Sequence, residues 1–200
     1  MDRHRRSAAN VAGAALVLVG AGLTVLAELP VRARMRVVEG GGTAGAALIV
    51  YHPGLSAFPK RVARVVAHGL ASRGTTVHLA SAPRHAPTDI ARYNLLVLVA
   101  PTYWWAPARP VSRYVVALGQ LRGAPVAVVV TASGQAGRWR RLLEARVRAA
   151  SGRVVAARSF FTWAPNVQAH YSMRGNQDDG VRLAEAFGAE LAGARVGGQP

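Results

Sequence analysis

The chain has 200 residues, 51% of them hydrophobic and 17% charged. That is enough for one domain with a sizeable core plus an appendage, and it excludes both a disordered chain and a multi-span membrane protein. The absence of cysteine excludes disulfides, thiolate zinc sites and cysteine nucleophiles, while 25 Lys+Arg against 9 Asp+Glu give a net charge of +16 and imply an anionic partner, either membrane lipid or nucleic acid.

In chain order, a basic hexapeptide (residues 1–6) precedes an apolar stretch that carries no charge between Val11 and Ala27. With its margins at 8–29 it reaches about the 20 residues that a bilayer span requires, so residues 1–36 read as a basic tail and a single-pass membrane anchor. A cleavable signal peptide, ending near Val25-Leu26-Ala27 and exporting the domain, is an alternative. A buried helix of a soluble core is a third reading, although no polar residues mark a solvent face. Arginines flank the stretch on both sides, so the positive-inside rule nearly cancels. The Arg-rich surface of the domain places it on the cytoplasmic side. Residues 37–45, centred on Gly40-Gly-Gly42, read as a flexible linker.

From residue 46 strands and helices alternate. Residues 47–51 form an apolar strand and 60–73 a helix with Val62, Val65, Val66 and Leu70 on one face. Strands are expected at 75–79 and 95–100, with only a short helical turn at 87–92 between them. Val111, Tyr114, Val115 and Leu118 mark the next helix, and the unbroken apolar run at 125–131 a strand buried on both faces. A basic helix over 138–150 turns Trp139, Leu142, Leu143 and Val147 inward, and 154–157 make a fifth strand. The last helix starts after Asp178-Asp179, acids suited to a helix N-terminus. The domain spans 46–192, with a tail at 193–200. Five alternating strands imply an α/β fold, a parallel sheet covered by helices on both faces.

Chemistry concentrates in three loops beyond strand ends, where ligands bind in open α/β sheets. The first contains His52, Gly54, Leu55, Ser56, Ala57 and Phe58. A strand-to-helix loop of this kind aims backbone N–H groups and a helix N-terminus at a phosphate. An ordinary tight turn at Gly54 reads equally well. The second contains Pro101, Thr102, Tyr103, Trp104 and Trp105. Three rings bunched past a strand end suit a flat, electron-rich guest, nucleotide-like or flavin-like. The third contains Ala132, Ser133 and Gly134, small residues that admit a ligand close to the backbone.

Two stretches carry a family resemblance. Residues 51–63, a strand feeding a short loop and then Lys60-Arg-Val-Ala63, look like the opening of flavodoxin-like proteins, and Val97-Leu-Val-Ala-Pro-Thr-Tyr-Trp104 is similar to the family's ring-binding loop. The resemblance implies a doubly wound five-stranded parallel sheet in the order 2-1-3-4-5 and flavin mononucleotide (FMN) as the guest. In the family the loop at 52–58 holds the phosphate, and those at 101 and 131 hold the ring. Ser56-Ala57-Phe58-Pro59 departs from the Gly-Asn-Thr core of the family's phosphate loop and keeps only one hydroxyl.

The expected function is therefore that of a membrane-tethered flavoprotein passing electrons from a reduced donor to an acceptor such as a quinone or a redox protein. Anionic membrane lipid is the expected surface partner. The alternative is a flavin-free, membrane-associated binding module of the same fold. No catalytic acid or base stands out, and the six histidines show no metal-ligand spacing. The basic run at 138–148 lacks the interleaved aromatics of a single-strand nucleic-acid platform. The long connection at 160–173 reads as functional, lying over the site or facing a bilayer.

Overall fold

The computed structural model describes residues 35–42, 45–84, 86–103 and 106–196, without the side chains of 195 and 196. The elements are β1 (Arg36–Val38), β2 (Ala46–Tyr51), α1 (Phe58–Ala71), β3 (Thr76–Ser81), β4 (Leu95–Tyr103), β5 (Ala106–Pro107), α2 (Arg109–Leu118), β6 (Pro125–Ala132), α3 (Gly137–Ala149), β7 (Arg153–Phe161) and α4 (Asn176–Val196). The strands run β1-β3-β2-β4-β6-β7, with β5 paired to the end of β4. From β3 to β7 every neighbouring pair is parallel.

The apolar strands divide their side chains between two cores. Ala47, Ile49 and Tyr51 of β2, with Val97 and Val99 of β4, meet α1 and α4 on one face. Leu48 and Val50, with Leu96 and Leu98, meet α2 and α3 on the other. This is the two-residue period of a strand acting inside a sheet covered on both sides, and it explains why these segments carry no polar alternation. On the first face α1 and α4 approach until backbone meets backbone. A methyl group at Gly188 would run into the Val66 backbone, and one at Gly69 into Glu185 and Ala189.

Three expectations are corrected. Among the described residues the sheet has seven strands, not five. Arg36–Val38, expected in the anchor segment and the linker, pairs antiparallel with β3, and Gly40 lies buried against Thr75. A three-residue strand is too short to show a period, and the adjacent glycines conceal it. No helix forms at 87–92. There the Asp89 carboxylate accepts the Ala91 N–H, a local bond that competes with helical pairing, and the Tyr114 hydroxyl donates to the Pro87 carbonyl at 2.5 Å. Burial pushes the Tyr114 hydroxyl well above the ordinary tyrosine range, so it stays a donor. On α3, Leu143 and Val147 are buried, whereas Trp139 is half-buried and Leu142 exposed. One i, i+4 ridge covers the sheet there, and Glu144 pairs with Arg140 and Arg148 on the flank.

Residues 8–29 lie outside the described residues. Among the described ones no helix is long and apolar enough to cross a membrane.

The α1–α4 contact gives a test with opposite signs. Gly188→Ala overpacks it and should cost about 1–3 kcal/mol, whereas Gly193→Ala, on the same helix with nothing near its methyl, should gain about 0.5–1 kcal/mol from helix propensity. Urea unfolding midpoints of the two variants should fall on either side of the native value.

Candidate functional site

Among the described residues the four helices start at the carboxyl edge of the sheet, so their N-termini and the strand-end loops gather there. The three loops singled out in the sequence come together at this edge. The Leu55 N–H of the first loop donates to the Tyr103 hydroxyl of the second at 2.8 Å. The Thr102 hydroxyl of the second donates to the Thr131 carbonyl, which opens the third, at 3.3 Å.

The individual residues are placed as follows. His52 is fully buried beneath the first loop, its N–H bonded to the Val99 carbonyl. Gly54 takes φ +66°, and the Tyr103 hydroxyl lies where a side chain at Gly54 would stand, so only glycine fits. Leu55, Ser56 and Ala57 are exposed, whereas Phe58 turns into the core under α1. Pro101 is buried, and Thr102 and Tyr103 are half-buried. Trp104 and Trp105 lie outside the described residues. Ala132 is buried, Ser133 exposed and Gly134 half-buried with open space beside its Cα.

The first turn of α1 has neither an acidic residue nor a side-chain cap, and its N-cap position is held by Ala57. The N–H groups of Phe58 and Lys60 precede the first intrahelical bond, which Arg61 makes to Ala57, and point out of the helix as anion donors do. The Thr131 hydroxyl is buried and has no hydrogen-bond partner among the described residues. Tyr51, the last residue of β2, has its hydroxyl pushed above the usual range by burial, against the pull of Arg64 and Arg36. It is no general base at neutral pH.

A fourth loop joins the site and was not assigned to it residue by residue from the sequence. The connection after β7 lies along the third loop, with Thr162 N–H donating to the Ala132 carbonyl at 2.9 Å and Ala164 N–H to the Ser133 carbonyl at 2.8 Å. Asn166 and Asn176 clasp it. Asn166 Nδ2 donates to the Phe161 and Asn176 carbonyls at 2.7 and 2.9 Å. Asn176 Nδ2 donates to the Ala164 carbonyl at 2.8 Å, and Asn176 Oδ1 accepts the Asn166 N–H at 2.8 Å. Two asparagines ten residues apart, flanking a long strand-to-helix connection, were the available signal. Among the described residues no group of His, Asp and Glu could hold a metal ion.

No protein-family model and no curated protein matches the sequence. Solved structures do. A flavodoxin from the domain Archaea is 16% identical and aligns over 76% of this chain and 99% of its own, with a TM-score of 0.57. The fold is flavodoxin-like. An NAD(P)H:quinone oxidoreductase from Methanothermobacter marburgensis gives 13% identity over 74% of this chain and 100% of its own, at a TM-score of 0.55. The flavodiiron core Flv1 of Synechocystis gives 14% identity and a TM-score of 0.59, over 80% of this chain but only 38% of the larger protein. Within the flavodoxin-like frame the parallel strands β3-β2-β4-β6-β7 reproduce the order expected from the sequence, and β1 and β5 are additions to it.

Asn176→Ala leaves the Ala164 carbonyl without its donor and the Asn166 N–H without its acceptor; at about 1–3 kcal/mol per unsatisfied buried group, a loss of about 2–4 kcal/mol in urea unfolding is expected. The ion cluster at the start of α4 gives a pH test. A hydrogen bond from Arg182, opposed by partial burial and aided by His170, holds the Asp179 carboxyl below the ordinary range. A carboxyl lowered on folding contributes stability above its unfolded pKa and loses it as pH falls through its folded value. Asp179→Asn should therefore lower Tm at neutral pH, with the difference closing as the pH falls below about 4.

Proposed function

We propose that the carboxyl edge binds FMN and that the protein passes electrons from a reduced donor to an acceptor such as a quinone, held at a membrane by residues 8–29 with the domain on the cytoplasmic side. The observation that carries this reading is the uncapped, acid-free N-terminus of α1 facing the same edge as the buried, unpartnered Thr131 hydroxyl. The residues present fit the group. The N–H groups of Phe58 and Lys60, with the Ser56 hydroxyl, would take the phosphate, and the segments 101–105 and 132–134 would hold the ring. Trp104 is assigned the stacking role from its position in the sequence. A bound flavin would supply the electron chemistry, and the protein's part is to bind, orient and shield it.

A second reading, a flavin-free binding module, is favoured by one observation. The Leu55 N–H, which a phosphate would use, is already bonded to the Tyr103 hydroxyl.

Titration of the full-length protein in detergent micelles with FMN separates the two. Under the first reading FMN fluorescence is quenched and Tm rises. Tyr103→Phe releases the Leu55 N–H, and because a hydrogen bond contributes about 0.5–1.5 kcal/mol net, FMN should bind a few-fold more tightly. Trp104→Ala removes a stacking contact of about 0.5–1.5 kcal/mol and should weaken binding several-fold. A protein that neither quenches FMN nor gains stability from it leaves the binding module as the function.

A further inference from the structure

The antiparallel strand β1 determines where the preceding chain leaves the domain. Arg36 pairs with Leu79 and Val38 with Val77, so β1 runs against β3 and its first residue lies toward the carboxyl end of that strand. Residues 1–34 therefore join the domain at the same edge as the candidate site, whereas α4 ends toward the opposite edge. Only residues 30–34 separate the apolar segment from Met35, a reach of about 20 Å at full extension. A globular domain of this size is about 40 Å across. A tether shorter than the domain allows the carboxyl edge to lie on a bilayer and keeps the amino edge away from it.

The chemistry of that edge matches. Trp163 and Met173 are each 67% exposed and Leu55 59%, and Tyr171 is also exposed. Trp163 and Tyr171 are joined, the Tyr171 hydroxyl donating to the Trp163 carbonyl at 2.5 Å. Amphipathic aromatic rings partition to the interfacial zone of a bilayer. The same edge carries the cations Lys60 and Arg138 near the starts of α1 and α3, Arg84 in the connection after β3 and Arg174 in the connection after β7. The acids nearby are engaged, Asp178 with Arg61 and Asp179 with Arg182 and His170. Exposed apolar and aromatic side chains sharing one edge with cations are the pattern of a surface that rests on anionic headgroups with its rings among the upper acyl chains.

We infer that the carboxyl edge of the sheet, through Leu55, Trp163, Tyr171 and Met173, docks onto an anionic phospholipid bilayer. The candidate site then opens toward the membrane, so that a lipid-dissolved electron partner reaches it from the bilayer rather than from water. This rests on the tether at 8–29 proposed above and is independent of whether FMN is the guest.

The chain has no cysteine, so single-cysteine variants can be labelled without background. Trp163→Cys and Met173→Cys report on the carboxyl edge, and Arg73→Cys, in the exposed turn after α1, on the opposite one. Each full-length variant, its folding checked by thermal melting, carries an environment-sensitive fluorophore in phosphatidylglycerol-containing vesicles. Labels at 163 and 173 should be quenched several-fold more than the label at 73 by nitroxide lipids, with the ranking reversed for aqueous iodide. Vesicles of phosphatidylcholine alone should reduce lipid quenching at 163 at least two-fold. Equal quenching in the two lipids overturns the anionic specificity. Labels at 163 and 173 as open to iodide as the label at 73, in protein that still sediments with vesicles after an alkaline wash, overturn docking while the tether stands, and assign this edge to a protein partner instead. Protein released by the wash overturns tether and docking together. FMN titration of the same vesicles reports on the site in either case.

Discussion

Burial of the central strands on both faces is the constraint from which the rest of the molecule follows. β2, β4 and β6 expose almost no side chain, so helices must cover each face, and parallel strands require a crossover between every pair. Once the crossovers are made, every strand-to-helix loop falls on one edge and every return loop on the other. The site is thus a product of topology before any particular residue is chosen. Residue choice then refines it. Glycine at 54 lets Tyr103 close on the first loop, and Gly134, after Ala132 and Ser133, leaves open space beside the backbone of the third.

The legible parts of the sequence were those where one physical signal dominates. Unbroken apolar runs such as 95–100 and 125–131 read as central strands, and the valines of α1 fell at helical spacing on the face that is buried. The illegible parts were those where two signals compete. β7 runs from Arg153 to Phe161, but Arg158 and Ser159 break its apolar pattern because an outer strand carries charge on its open side. The helix expected before β4 gave way to side-chain bonds with the backbone. Leu142 looked like a core residue, although the ridge of α3 that meets the sheet is only one residue wide.

The meeting of the three loops at one edge was legible, and their contacts were less so. Loop membership followed from strand ends, and the structure joins the loops through Tyr103 and Thr102. Hidden from the sequence was the competition within the first loop, where a tyrosine from the next strand occupies an amide that an anion would want. The fourth loop was visible as an unusually long connection, but the asparagine clasp that makes it part of the edge depends on pairing across ten residues and has no periodic signature. Polar side chains that bond to backbone at a distance are the feature such reading misses most readily.

The short strand β1 has a further consequence. Without it, β3 would present a row of unpaired amide and carbonyl groups along an apolar margin, a template for another chain. At the other margin, β7 guards itself with Arg153 and Arg158. One border of the sheet is therefore protected by charge and the other by three residues borrowed from the segment that leads into the domain. Trimming the chain back to the first central strand would remove the apolar leader but also uncover that border, exchanging one source of self-association for another.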